Sequence, residues 1–189
     1  MPSSVLSPRS IRLVTALAAL AAGRAASADL VVNGGFETGD FSGWTVEHAA
    51  VGSDLVLFTN DTPFGTFYAS FSADGGLYDG ISQALATSAG NDYQVSMWVY
   101  NLGIENDSLL VDWEGQTVQA FTPVGTGLES WTEITFVVHA DQNGSLFRIR
   151  GFDGQAAFGL DAISVVAVPA PGAGALLLLA VGAGRRRRA

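Results

Sequence analysis

The side chains able to do chemistry in this 189-residue chain are almost all oxygen-bearing. There are 18 Asp and Glu against 9 Lys and Arg, no Cys, and two His at positions 48 and 139. Carboxylates without thiols suit hard divalent cations, calcium above all, which takes about six to eight oxygens. A zinc site would be poorly served, and thiol catalysis is excluded. No Gly-x-Ser-x-Gly elbow, His-Glu-x-x-His, P-loop or dinucleotide fingerprint occurs. Eighteen acids make many carboxylate pairs of the kind glycosidases use, but no feature singles one out. His139 falls at a strand end and reads as a surface residue, so the expected class is non-catalytic.

The charges are unevenly placed. All 18 acids lie between Asp29 and Val168, where the only basic residues are Arg148 and Arg150. Two positive charges against eighteen negative ones give that segment a formal charge of −16. Nucleic acid and anionic lipid are thereby excluded as partners, because phosphates demand basic surface. An acidic surface instead suits divalent cations and neutral ligands outside the cell.

Short alternating runs set the elements that must position these groups. Strands are expected near residues 29–32, 44–49, 54–59, 67–71, 81–87, 93–101, 108–113, 117–121, 131–139, 146–151 and 160–166. Turn signals separate them at Asp74–Gly76, Asp79-Gly80, Glu114-Gly115 and Asn143-Gly144. Outside the two ends no window holds a helical period. About eleven strands in some 140 residues predict an all-β fold, a single β-sandwich of the jelly-roll kind. Alternation puts Tyr93, Val95, Met97 and Val99 in the core and turns Trp98 and Tyr100 outward. Phe147 and Ile149 point in, so Arg148 and Arg150 point out. If those outward faces share one sheet, Trp98, Tyr100, Arg148 and Arg150 line a platform on which a sugar ring can stack. Otherwise a loop covers Trp98, and the arginines offset neighbouring acids.

Both ends of the chain read as targeting segments. Arg9 and Arg12 precede the apolar run Leu13–Ala22, and Ala26-Ser27-Ala28 supplies a small-residue cleavage pattern. Residues 1–28 are therefore expected to form a signal peptide with a helical core, removed by signal peptidase. At the other end, residues 167–189 carry Val168-Pro169-Ala170-Pro171, then an apolar stretch to Gly184, then Arg185, Arg186, Arg187 and Arg188. The prolines keep the chain extended. The apolar helix expected after them is short against the roughly 20 residues a bilayer needs. The arginines favour the cytoplasmic side, which predicts transient membrane anchoring with the domain outside. A simple tail anchor is the alternative reading.

This tail resembles the PEP-CTERM sorting signal. The resemblance implies cleavage near the prolines by an exosortase, and a place at the cell surface or in an extracellular, biofilm-type matrix rich in exopolysaccharide. Ala170 stands where that pattern has Glu, which points to a variant sorting enzyme.

Residues 29–166 carry a second resemblance. Asn33-Gly-Gly-Phe-Glu37 with Trp44 at the start, and Leu160-Asp161-Ala-Ile-Ser-Val165 at the end, resemble the opening and closing of galactose-binding-like jelly rolls, carbohydrate-binding modules among them. In that fold the first and last strands lie side by side with a structural calcium between them. The resemblance implies Glu37 and Asp161 as carboxylate ligands, with Asn33 and Gly35 adding carbonyls. Without metal, the two acids are hydrogen-bonded turn carboxylates. Three functions stay open: a polysaccharide-associated surface protein, a purely structural calcium-binding matrix protein, and a glycan hydrolase.

Overall fold

A computed structural model describes residues 27–47, 54–59, 61–73, 77–101, 107–121, 130–153 and 157–169. The described chain is all-β. Its ten strands are β1 (Thr45–Glu47), β2 (Asp54–Phe58), β3 (Phe67–Phe71), β4 (Asp79–Leu85), β5 (Asp92–Asn101), β6 (Asp107–Trp113), β7 (Gln116–Phe121), β8 (Thr132–His139), β9 (Ser145–Asp153) and β10 (Phe158–Ala167). They form two five-stranded antiparallel sheets, ordered β1-β4-β9-β6-β7 and β2-β3-β10-β5-β8. Strands cross repeatedly between the sheets, the jelly-roll form of sandwich expected from the alternation. The expected helices at the two ends lie outside the described residues.

Period two explains the core. On β5 Tyr93, Val95, Met97 and Val99 are at most 4 % exposed, and Phe147 and Ile149 on β9 are fully buried opposite them. Rings link the two sheets in a chain, from Phe36 to Trp44, Phe147, Trp113 and Tyr93, with centroids 6.1 to 6.4 Å apart. The buried indole N–H groups must find acceptors. Trp44 Nε1 donates to the Asn33 carbonyl at 3.1 Å, and Trp113 Nε1 donates to the His139 carbonyl at 2.8 Å.

Two expectations change. Residues 29–32 form no ladder strand, although they lie beside β10. The Leu30 amide reaches the Val165 carbonyl, but the Val165 amide is taken by the Asp29 side chain instead of a backbone oxygen. Asp79-Gly80, read as a turn, opens β4 with Asp79 buried. A Cβ at Gly80 would be in ordinary contact with Arg150 Cγ at 3.4 Å. Glu114-Gly115 does form the tight β6–β7 hairpin. Their φ angles of 51° and 82° match the turn that suits twisted strands.

Candidate functional site

Three places hold the residues singled out above, and the first is a carboxylate corner. Asn33, Phe36 and Ala162 all take left-handed φ of 49° to 55°, costly for residues with a Cβ and grouped around one spot. The Ile163 amide bonds the Gly34 carbonyl at 2.9 Å. This seats the Asn33–Glu37 loop against the start of β10, where the ladder register shifts between Asp161 and Ser164. Gly35 lies close to both acids, for a Cβ there would be 3.6 Å from Asp161 Oδ1 and 3.8 Å from Glu37 Cγ. Asn33 has other work. Its amide side chain donates to the Asp40 and Ser42 carbonyls, and its own carbonyl accepts from the Phe36 amide and from Trp44.

The two carboxylates differ in state. Glu37 is exposed, and Oε1 accepts the Phe67 and Thr66 amides at 3.0 and 2.9 Å, which holds its pKa below the usual value. Asp161 is fully buried. Its Oδ1 takes the Ala162 amide at 2.6 Å, while Oδ2 has no hydrogen-bond partner of good geometry. Burial pushes its pKa up to about 6 against the pull of the Ala162 and Phe64 amides, and the Glu37 charge adds to the rise. A buried carboxylate oxygen without a partner beside a second carboxylate is a pair of oxygen donors that a cation such as calcium could use. No group of three or more His, Cys, Asp and Glu gathers among the described residues.

The second place is the outer face of the sheet that holds β5. Trp98 and Tyr100 do point outward there, but their own chain covers them. The Phe64 ring meets Trp98 edge-on at 5.9 Å. Trp131 packs on both Tyr100 (5.5 Å) and Tyr68 (5.7 Å), over a notch left by Gly159, and its Nε1 donates to the Asp61 carbonyl at 2.6 Å. This is a small satellite core under the 61–66 loop. The same loop supplies the Thr66 amide to Glu37 and the Phe64 amide to Asp161.

The expected four-residue platform is therefore not assembled. Arg148 and Arg150 lie on β9, in the other sheet, and face the opposite side of the sandwich. Cross-strand register is not written in the alternation, so the sequence could place each side chain in or out but not on which sheet. There the arginines line a third place, a groove of about 190 Å³ with Asp112, Thr117, Leu146 and Gly115. Arg150 grips Asp112 through Nε (2.7 Å) and Nη2 (3.0 Å), and the Thr117 hydroxyl donates to the same carboxylate at 2.7 Å. Burial alone would raise the Asp112 pKa; the Arg150 and Thr117 hydrogen bonds and both guanidinium charges outweigh it and hold the group ionised. The Tyr78 ring sits 5.4 Å from the Arg150 guanidinium, and Arg148 Nη2 pairs with Glu47. Asp112, Thr117, Tyr78 and Glu47 were missed. The alternation of Leu109, Val111 and Trp113 around Asp112 was the one signal that marked it as outward.

Val168 and Pro169 end the described chain, with the Val168 amide held by the Asp92 carbonyl at 2.8 Å. Ala170, Pro171 and Arg185 to Arg188 lie outside the described residues.

No family model and no curated protein matches the chain. Solved structures do. TmCBM61, determined in complex with β-1,4-galactotriose, superposes with a TM-score of 0.60 at 21 % identity, covering 75 % of this chain and 100 % of its own. The CBM22-1 xylan-binding domain of Xyn10C from Paenibacillus barcinonensis gives 0.53 at 20 %, over 77 % and 97 %. A family 16 carbohydrate-binding module gives 0.52 at 21 %, over 72 % and 99 %. The fold is thus the sandwich that these binding modules share.

Proposed function

We propose that the sandwich is a non-catalytic glycan-binding module of an exported protein, and that the glycan lies in the groove on the outer face of the β1-β4-β9-β6-β7 sheet. The observation that carries this reading is the groove's lining. Hydroxyl, carboxylate and guanidinium groups stand beside the exposed Leu146, the mixture of polar and apolar contact that a sugar requires. The likeness to modules solved with galactotriose or named for xylan binding supports the ligand class. Residues 1–28 would direct export through signal peptidase. The Val168–Pro171 motif and Arg185–Arg188 would lead an exosortase to leave the protein at the surface or in the matrix.

Calcium belongs to this reading as a structural ion. Glu37 and Asp161 would hold it with backbone carbonyls near Gly35, and the ion would neutralise the buried Asp161 charge. The partnerless Asp161 Oδ2 also favours the second reading, a calcium-binding matrix protein with no glycan site.

The test is affinity electrophoresis of the 29–168 fragment through the exopolysaccharide of its host, with calcium and then with chelator. Retardation lost on Leu146→Asp but kept on Trp98→Ala supports the groove. Calcium-dependent self-association without retardation supports the matrix reading. Glycan shortening over time would reinstate a hydrolase.

A further inference from the structure

Resting on that reading, we propose that the groove prefers glycans that carry carboxylates, uronate residues above all, and that Arg148 is the group that receives them. The two arginines there are in different states. Arg150 is spent, for Nε and Nη2 both bond Asp112, whose side chain is only 9 % exposed. That pair is closed and neutral, and the Thr117 hydroxyl seals it further. Arg148 is not spent. Its Nη1 stands 3.9 Å from Asp112 Oδ2, too far for a hydrogen bond, and its Nε is buried without a partner, so an incoming carboxylate would meet the Nη groups. Its remaining contact is Nη2 with Glu47, a pair whose side chains are 32 % and 43 % exposed. An ion pair open to solvent is worth little and can be exchanged for another carboxylate at small cost.

Charge placement points the same way. The only two arginines of residues 29–168 are both here, each beside an acid, Arg150 with Asp112 and Arg148 with Glu47. These two stand two residues apart on one strand and face one groove. Elsewhere the acidic surface repels anions, so the groove, where Arg148 and Arg150 offset Glu47 and Asp112, is the least repulsive place for an anionic ligand. At physiological salt the more distant acids are screened beyond about 8 Å, whereas a contact pair is not. A guanidinium matches a carboxylate with two parallel bonds, stronger than any it makes to a sugar hydroxyl. The exposed Leu146 at the groove wall offers the apolar contact that the sugar ring needs.

The experiment is calorimetric titration of the full-length chain in detergent, at physiological salt with calcium held constant. The probes are trigalacturonate and a mannuronate trisaccharide, each beside its carboxyl-reduced counterpart. At least one acidic probe is expected to bind ~10-fold or more tightly than its reduced form, as a charged hydrogen bond would give. Arg148→Gln should remove that preference with the thermal midpoint unchanged. Glu47→Gln should strengthen acidic binding several-fold by freeing Arg148, an effect no loss of structure would produce. Equal binding of acidic and reduced probes, no acidic binding in either backbone, or a preference that survives Arg148→Gln would overturn the proposal. Retention on a neutral glycan would leave the broader glycan reading standing.

Discussion

Removing one charge at Asp161 should make the metal-free domain more stable. The native carboxyl has a pKa near 6, against an ordinary value of 3.8. Between those values the folded state holds a proton that the unfolded state has released, so stability falls as pH rises through this window. A shift of about two units corresponds to about 3 kcal/mol, fully present below pH 4 and lost above pH 6. For a domain of this size that is roughly a 10 °C fall in midpoint. Neighbouring windows lie elsewhere. Glu37, with its pKa lowered from 4.5, contributes stability that is lost only as pH falls below that value, and His139 acts above 6.5. Asp161→Asn keeps the acceptor for the Ala162 amide and removes the buried charge. Thermal melts of the 29–168 fragment in chelator, from pH 4.5 to 7, should show the parent losing stability while the variant stays nearly flat. Calcium should restore the parent at pH 7 and do little for the variant. A variant that is less stable at pH 7, with the parent's pH slope intact, would refute the reasoning. It would mean that the Asp161 charge is compensated within the protein.

Two further outcomes follow from other parts of the fold. Trp131→Ala should cost about 2 kcal/mol, less than for a fully buried ring, since Trp131 is half-buried over the Gly159 notch; denaturant titration measures it, and glycan binding on the opposite sheet should persist. The His139 imidazole bonds Asp92 at 2.7 Å, which raises its pKa above 6.5. A proton NMR titration should find that raised midpoint and see it fall in Asp92→Asn. The pair stabilises the fold below pH 6.5, and that contribution fades as pH rises through the native pKa.

Much of the fold was legible because burial on a sheet has period two. The β5 run from Tyr93 to Val99 announces its inward face, and the Glu114-Gly115 pair announces a hairpin that twist permits. The N-terminal segment was harder, because Asp29 replaces a backbone acceptor with its side chain, a substitution that no periodicity records. The carboxylate corner was half legible. Asn33-Gly-Gly-Phe-Glu37 marked a loop, but its left-handed turns fall on Asn33 and Phe36 and not on the glycines, and that Asn33 closes the loop and Gly35 lies close to both acids depends on where β10 passes.

By itself the sequence determined the composition-level answers: an acidic, cysteine-free, all-β domain between two apolar ends, with its core residues sorted from its surface ones. Local alternation suffices for that, since each strand's two faces are set by its own residues. Only the tertiary structure decided which outward faces share a sheet. It sent Trp98 and Tyr100 beneath the 61–66 loop and Trp131, and it brought Arg148 and Arg150 onto the other side with Asp112 and Glu47. The reason is topological. Apart from β2–β3 and β6–β7, strands adjacent in sequence lie in different sheets here, so neighbourhood in the chain says little about neighbourhood across the ladder.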